Sequence, residues 1–151
     1  MSIALNALNL SRAFISTLAV GIMQRALDEA VAYAKQRKQF GRRLIDFEMV
    51  QAMLADMAIK TEAARVLVNN SMRQMDAGEM VRKDGAIVKT FVTDAMQEVV
   101  SNAVQVLGGY GYSEEYPVEK LMRDAKIFQI FEGSNQIQRM TIAKELDREY
   151  R

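Results

Sequence analysis

The apolar residues of this chain recur at intervals of three and four, which is the spacing of amphipathic α-helices. The first such segment covers residues 9–36, and five of its positions are expected to face the core: Phe14, Leu18, Ile22, Ala26 and Ala30. Asn9 or Ser11 is a candidate N-cap for this helix, and residues 3–8 are predicted to form a short helical stub before it.

Two further long helices follow from the same spacing. The second covers residues 47–76 and ends at Ala77-Gly78; its predicted inner face contains Val50, Met53, Leu54, Met57, Thr61 and Ala64. The third covers residues 82–107 and is stopped by Gly108-Gly109; its predicted inner face contains Val88, Phe91, Val92, Ala95 and Val99.

The remaining elements complete an all-α prediction. Pro117 suits the first turn of a short helix that ends near Ala125, and the last helix runs over residues 134–149. No stretch alternates with period two for long enough to predict a strand. We therefore predict an up-and-down four-helix bundle with a short additional helix, forming one domain over residues 1–151.

Three connections at helix ends carry the informative loops. They are residues 37–46, 108–116 and 126–134, and the first has Gly41 at its centre. Because ligand sites in helical bundles form at helix ends and between helices, we expect these three loops to share one ligand region.

Composition narrows the possible chemistry. The chain has 151 residues, half of them hydrophobic, which is enough for one core. It contains no cysteine and no histidine, which excludes thiolate nucleophiles, Ser-His-Asp triads and imidazole metal sites; we predict no metal. Acid–base work therefore falls to Glu, Asp, Lys or Tyr, and redox chemistry would need a cofactor.

Charge and hydropathy bear on partners and location. The net charge is +1, from 20 basic and 19 acidic residues, so no overall field favours nucleic acid or membrane. Charged residues interrupt every apolar stretch before the ~18 residues of a membrane span. The N-terminus has no basic residue before Arg12, unlike a signal peptide. We expect an intracellular protein, cytoplasmic in a bacterium or in the mitochondrial matrix of a eukaryote.

Glu132 is the candidate for acid–base chemistry. It directly follows the apolar run 127–131 and directly precedes Gly133 and Ser134. Apolar neighbours disfavour a charged carboxylate, which prepares such a group to exchange protons near neutral pH. Gly133 permits close approach of the backbone to a ligand. The residues alone leave a second interpretation open, a loop glutamate beside a helix that Ser134 caps.

Two segments resemble the flavin-dependent acyl-CoA dehydrogenases. One is LGGYGYSEEYPVEKLMRDAKIFQIFEGSNQIQR, the C-terminal signature; the other is QRALDEAVAYAKQRKQFGRRLIDFEMVQAMLADMAIKTEAAR at residues 24–65. The resemblance covers nearly the whole chain but only about the last third of a family member, without its N-terminal helical domain and middle β-domain.

The resemblance implies α,β-dehydrogenation of acyl-CoA thioesters to trans-2-enoyl-CoA with FAD as cofactor. Glu132 matches the base of the short- and medium-chain type. Some relatives place the base on an earlier helix, near Ser11-Arg12 here, where this chain has no glutamate. Nitroalkane oxidases carry aspartate at the loop position, which argues against that branch.

The resemblance also implies binding residues. Those matching cofactor contacts are Arg37, Gln39, Phe40, Gln105, Gly108, Gly109, Ser134 and Gln136, the first three reaching FAD from a neighbouring subunit. Those matching substrate contacts are Arg12, Asn9, Phe131 and Gly133. Three of these depart from the usual family residue: Ser134 replaces Thr, Phe131 replaces Tyr and Asn9 replaces Asp. Arg123 is expected to pair with Asp124 or Glu119.

The implied partners are an acyl-CoA substrate, further copies of the chain in a dimer or tetramer, and an electron-transfer flavoprotein; nucleic acid and membrane are not expected. Two alternatives stay open. One is an inactive helical oligomerisation module of the same family. The other is a relative such as an acyl-CoA oxidase or a DNA-damage-response homologue, although the near-neutral charge disfavours nucleic-acid binding.

Overall fold

The computed structural model describes the backbone of residues 2–151 and the side chains of residues 7, 8 and 10–151. Its helices are α1 (Ser2–Gln36), α2 (Glu48–Asp76), α3 (Arg82–Leu107), α4 (Val118–Lys126) and α5 (Asn135–Glu149). Two-residue strands β1 (Lys38–Gln39) and β2 (Arg42–Arg43) form a hairpin, and 3-10 turns cover Leu44–Asp46, Gly108–Tyr112 and Ile127–Gln129. The all-α prediction is confirmed.

Helix α3 is the centre of the bundle, because it packs against α1, α2, α4 and α5. The face of α1 that meets the core consists mostly of alanines, and Met23 is its largest fully buried side chain. Ala26 and Ala30 are fully buried as predicted. Phe14 and Leu18, however, are 56% and 64% exposed, so their predicted burial is wrong. Small residues permit close approach of α1 to α3, whereas Phe14 and Leu18 lie on an exposed side of the helix.

The predicted inner faces of α2 and α3 are largely correct. Leu54, Met57, Thr61 and Ala64 are buried on α2, with Val50 and Met53 partly buried. On α3 the exception is Phe91, which is 43% exposed and lies beside Ile59 and Val66 of α2 on an apolar surface. Apolar spacing predicts which helix face is hydrophobic, but it does not tell whether the chain itself covers all of that face.

Residues 37–46 form a hairpin rather than a simple loop. β1 and β2 pair antiparallel, Lys38 with Arg43 and Gln39 with Arg42. Phe40 and Gly41 form the turn with φ of 51° and 80°. Two successive left-handed residues are typical of the tight turns that join adjacent strands. Strands of two residues are too short to produce a period-two pattern, which is why the sequence did not predict them.

Helix ends follow most of the predicted signals. Gly108, with φ of 62°, ends α3, and the Ser134 hydroxyl accepts a hydrogen bond from the Ile137 N–H at 3.5 Å to cap α5. At the N-terminus the prediction is wrong: α1 is continuous from Ser2, so residues 3–8 belong to it and neither Asn9 nor Ser11 caps it.

Within α4, Arg123 forms an ion pair with Glu119, while Asp124 pairs with Lys120. This is one of the two pairings that the sequence left open for Arg123. None of the helices within residues 2–151 is long and apolar enough to cross a membrane.

Candidate functional site

The predicted site residues form two clusters at opposite ends of α1 and α3. Ser11 of α1 and Lys89 of α3 contact residues 132 and 133, whereas Arg37, just after α1, lies against Tyr110, just after α3. The two helices therefore run parallel. At 1.5 Å per residue, residues 11 and 36 of α1 are about 38 Å apart. Within one chain, therefore, the three loops do not share one ligand region: residues 126–134 lie at one end and residues 37–46 and 108–116 at the other.

The first cluster centres on residues 131–135, here called the Glu132 loop. Glu132 has φ of 55° and Gly133 has φ of 86°. A left-handed conformation costs a residue with a side chain roughly 1–2 kcal/mol, and such residues concentrate at functional sites. Among the described residues, the non-glycine residues with positive φ are Phe40 and Glu132. The family resemblance of the sequence implies a functional role for each of them.

Two buried side chains hold the backbone of the Glu132 loop. Gln138 Nε2 donates to the carbonyl of Glu132 at 3.1 Å and to that of Gly133 at 2.9 Å. Lys89 Nζ donates to the same Gly133 carbonyl at 2.9 Å. The left-handed conformation is therefore fixed by hydrogen bonds from α3 and α5.

Asn135 links the loop to α3. It accepts a hydrogen bond from Lys89 Nζ at 2.6 Å and donates to Thr93 Oγ1 at 2.8 Å and Asp94 Oδ1 at 2.7 Å. Burial alone would raise the pKa of Asp94, but hydrogen bonds from Arg139, Gln129 and Asn135 outweigh it and lower that pKa. The carboxylate of Asp94 thus stays charged and keeps the amide of Asn135 oriented.

Lys89 is the most unusual side chain of this cluster. It is fully buried, and burial lowers its pKa to about 8; the nearby Arg12 acts in the same direction, while Asp94 and Glu132 oppose it. Burial also lowers the pKa of Arg12, assisted by Arg82 and opposed by Glu132. Two cations therefore lie close to the Glu132 carboxylate beneath the loop.

Ser11 contacts the Glu132 carboxylate directly. Its hydroxyl donates to Glu132 Oε2 at 2.8 Å and also lies 3.1 Å from the carbonyl of Leu8. A serine hydroxyl has one proton, so it can make only one of these two bonds at a time. The earlier-helix position at which some relatives carry a base therefore lies beside the loop carboxylate in this fold.

The remaining predicted residues of this end surround the loop. The rings of Phe128 and Phe131 meet edge to face at 5.0 Å and form an apolar wall before Glu132. Arg12 is buried, Ser134 is half-buried and Gln136 is exposed. The side chain of Asn9 lies outside the described residues, so its predicted role has no structural account.

The second cluster is a cleft of about 580 Å³, here called the hairpin cleft. Its lining is Tyr33, Arg37, Gln39, Leu44, Val106, Leu107, Gly108, Gly109, Tyr110, Ser113 and Glu115. Arg37 lies 5.9 Å from the ring centre of Tyr110, which permits a cation–π contact. Four predicted cofactor residues meet here; Phe40 and Gln105 are exposed nearby but do not line the cleft.

The hairpin cleft suits a phosphate group. A side-chain atom added at Gly108 or Gly109 would meet nothing within 4 Å, so a ligand can approach this backbone closely. The guanidinium of Arg37 is exposed beside it, and its planar fork binds phosphate oxygens in pairs. The residues present therefore fit the diphosphate portion of a dinucleotide.

Sequence reasoning missed Ser11 as a partner of Glu132, and it missed Lys89, Asn135 and Gln138 altogether. The apolar residues around Lys89, Ile87-Val88 and Phe91-Val92, were the available signal, because they predict that this position of α3 faces inward.

Comparison with known proteins identifies the family. Residues 1–146 match the family described as acyl-CoA dehydrogenase, C-terminal domain. The match covers almost the whole sequence. The chain belongs to the acyl-CoA dehydrogenase family of flavoprotein oxidoreductases and corresponds to its C-terminal helical domain.

Individual relatives agree. The chain is 49% identical over 144 residues to the probable acyl-CoA dehydrogenase FadE25 of Mycobacterium tuberculosis, covering 95% of this chain and 37% of that protein. It is 43% identical over 140 residues to the caffeyl-CoA reductase-Etf complex subunit CarC of Acetobacterium woodii, covering 93% and 37%. Butyryl-CoA dehydrogenase from Megasphaera elsdenii superposes with a TM-score of 0.94 at 45% identity, over 96% of this chain and 38% of that one.

The chain thus spans less than two fifths of the length of these relatives. Family and fold follow from the comparisons, whereas the activity of a whole enzyme does not.

Proposed function

We propose that this chain is the catalytic C-terminal domain of an FAD-dependent acyl-CoA dehydrogenase, with Glu132 as the base that removes the α-proton of the acyl-CoA thioester. The observation that supports this most is the Glu132 loop. A carboxylate is held there in a costly left-handed conformation by hydrogen bonds from Lys89 and Gln138. Backbone strain of this kind clusters at functional sites, so we infer that the orientation of the Glu132 side chain serves the function.

The proposed role of Glu132 is to accept a proton. The α-C–H bond of the substrate breaks, the proton goes to Glu132 and its electron pair forms the new C=C bond as hydride leaves the β-carbon. FAD, when bound, supplies the acceptor for that hydride. Substrate binding removes water from the loop, and the ring of Phe131, packed edge to face on Phe128, forms an apolar wall beside the carboxylate.

Ser11 adds a means of orienting the base. Its hydroxyl holds Glu132 Oε2 at 2.8 Å and has the Leu8 carbonyl as an alternative acceptor. Turning from one acceptor to the other would release the carboxylate when a substrate arrives. Arg12, buried nearby, places a positive charge close to the Glu132 carboxylate.

The two clusters suit contacts to two different FAD molecules. They are about 38 Å apart along α1, which is longer than an extended dinucleotide. The Glu132 end, with Ser134 and Gln136, would contact the flavin that reacts beside it. The hairpin cleft, with Arg37, Gln39, Gly108 and Gly109, would hold the diphosphate and adenine side of a neighbouring subunit's FAD.

This arrangement requires self-association, which we also propose. Exposed apolar side chains offer surfaces for it: Phe14 and Leu18 on α1, and Ile59, Val66 and Phe91 between α2 and α3. Light scattering should show more than a monomer at high micromolar concentration. A monomer under those conditions contradicts the proposal, and the charge variants Phe14→Lys and Phe91→Lys will locate the surface by which of them weakens association.

The enzymatic proposal is tested with Glu132→Gln. Glutamine keeps the size of glutamate but cannot accept the proton, so binding should persist while turnover is lost. We expect flavin bleaching by acyl-CoA to slow by about 10²–10⁴-fold, the usual contribution of a general base. The chain is grafted behind the N-terminal and middle domains of a relative, with and without the substitution; bleaching at an undiminished rate in the Gln form contradicts the assignment.

A helical assembly module without activity is the second candidate, favoured by the exposed apolar side chains of Phe14, Leu18 and Phe91, which suit association. The two candidates are separated by the grafted chain, because the purified 151-residue chain is expected to hold flavin weakly and to show little bleaching under either one. Bleaching by the grafted chain that depends on Glu132 would reject the inactive module.

A further inference from the structure

Lys89 exchanges no proton in the reaction proposed above, yet it lies directly beneath Glu132 and binds the carbonyl of Gly133. Its side chain is fully buried, with 0% of its surface accessible to solvent. Lysine is among the residues least often buried in full. Among the described residues, no carboxylate forms a salt bridge with its ammonium, whose hydrogen bonds go to the Gly133 carbonyl and Asn135 Oδ1.

A purely structural role does not explain this choice of residue. Methionine would fill a similar volume without the cost of taking an ammonium out of water. The Gly133 carbonyl already has a second donor in Gln138 Nε2, so packing and hydrogen-bond satisfaction there do not depend on a charge. What the ammonium adds is a stronger, charge-assisted bond to the residue that follows Glu132 and a link to Asn135 two residues later.

We propose that Lys89 is a positioning residue: its buried ammonium clamps the Gly133 carbonyl and the Asn135 side chain, and so holds Glu132 in its left-handed conformation. The clamp itself is independent of the reaction, but its importance for catalysis rests on the proposed role of Glu132 as base. The ammonium of Lys89 donates its hydrogen bonds to the loop, so it acts through Glu132.

Several charged groups face this ammonium. Asp94 on α3 and Glu132 on the loop raise its pKa, and Arg12 on α1 lowers it; on α5, Arg139 is paired with Asp94. Burial is the largest influence, and the pKa is about 8. The ammonium is therefore present below that pH, and the charge-assisted clamp weakens as the pH rises through it.

The test is a pH titration of the unmutated 151-residue chain by NMR, following the carbonyl carbon of Gly133 and the Cε of Lys89. Both resonances should shift with one common midpoint near pH 8. A flat Gly133 resonance while Lys89 titrates overturns the proposal. Because this measurement needs no substitution, it decides the matter even if Lys89 variants fold poorly.

Lys89→Met should abolish the pH-dependent shift of the Gly133 carbonyl carbon, here called the Gly133 step. It should also speed amide exchange in residues 132–135 by about tenfold or more, as expected for losing a charged hydrogen bond. Lys83→Met is the matched control: Lys83 is on the same helix but pairs with Glu149, away from the loop. It should leave the step and the exchange rates unchanged. Equal exchange in both variants counts against the clamp.

Glu132→Gln separates the clamp from the chemistry. The Glu132 charge raises the pKa of Lys89, so its removal should keep the Gly133 step and move the common midpoint to lower pH. An unmoved midpoint would mean that the Glu132 carboxylate is not held near the Lys89 ammonium and would overturn the proposal. Undiminished flavin bleaching in the grafted Gln form would reject Glu132 as base without altering these resonances, so the two proposals can fail separately.

Discussion

Glu132 and Phe40 share an uncommon backbone conformation and differ in almost everything around it. Glu132 is half-buried in a loop whose carbonyls are bound by Lys89 and Gln138. Phe40 is 93% exposed in a two-residue turn that is fixed only by the strands on either side. At one end of α1 the strain is locked by buried side chains; at the other it is tolerated at the surface.

The difference indicates two ways of preparing a site. The Glu132 end is organised within a single chain, which suits a group that must point in one direction for a reaction. The hairpin cleft keeps its cation, glycine backbone and aromatic ring open to solvent, which suits a ligand or partner that arrives from outside. Changes at the first end should therefore alter stability and loop order, and changes at the second should alter binding.

The largest stability effect should come from the charge of Lys89. Its pKa is lowered in the folded chain from 10.5 to about 8. Between those values the unfolded chain keeps a proton that the folded chain has lost, so the free energy of unfolding rises with pH across that window. The gain is at most about 3.4 kcal/mol, at 1.36 kcal/mol for each pH unit. Stability should thus increase while the clamp on the loop weakens.

Denaturant unfolding of the chain and of Lys89→Met, from pH 8 to pH 10.5, measures this difference. The stability of Lys89→Met is subtracted because Tyr33 has the opposite effect. Burial raises the pKa of Tyr33, so its contribution to the free energy of unfolding falls as the pH rises past 10. If the difference in free energy of unfolding between the two chains stays constant across the window, burial does not destabilise the Lys89 ammonium.

The sequence predicted what local periodicity controls. The bounds of α3 and the cap at Ser134 depend on neighbours in the chain, and both are as predicted. The prediction that Phe14 is buried was wrong, because spacing does not distinguish an apolar face covered by this chain from one left exposed. The hairpin around Phe40 was missed because two-residue strands have no period to detect.

The candidate site was predictable only in part, for a related reason. Glu132 could be singled out because its apolar and glycine neighbours are adjacent in sequence. Lys89 and Gln138 hold the loop through contacts that depend on tertiary packing. The apolar spacing around Lys89 indicates that it faces inward, but no periodic pattern identifies a partner 44 residues away in sequence.

A pair of glycine substitutions tests whether the two ends differ in rigidity. Gly133 and Gly41 have φ of 86° and 80°, so alanine is strained at both. At Gly133 the new Cβ would also lie 2.4 Å from Gln138 Nε2, whereas at Gly41 nothing lies within 4 Å. We expect Gly41→Ala to cost about 1 kcal/mol and Gly133→Ala about 2 kcal/mol or more, as the clash breaks the Gln138 bonds. Equal losses in thermal or denaturant unfolding would mean that the Glu132 loop yields as easily as an exposed turn.

The smallest effect on stability should come from Phe40→Ala. The ring is 93% exposed and only approaches Phe47 edge-on at 6.4 Å, so little apolar burial is lost, and alanine bears the same left-handed strain. The free energy of unfolding should change by no more than about 0.5 kcal/mol, as for most surface substitutions. Phe47→Ala is the control, because that ring is half-buried under the Arg42 guanidinium at 4.1 Å and should cost more. In a grafted, flavin-binding form, Phe40→Ala should weaken flavin retention while Phe47→Ala acts mainly on stability. A large loss of stability from Phe40→Ala would show that the turn supports the fold, and the contrast between the two ends would then disappear.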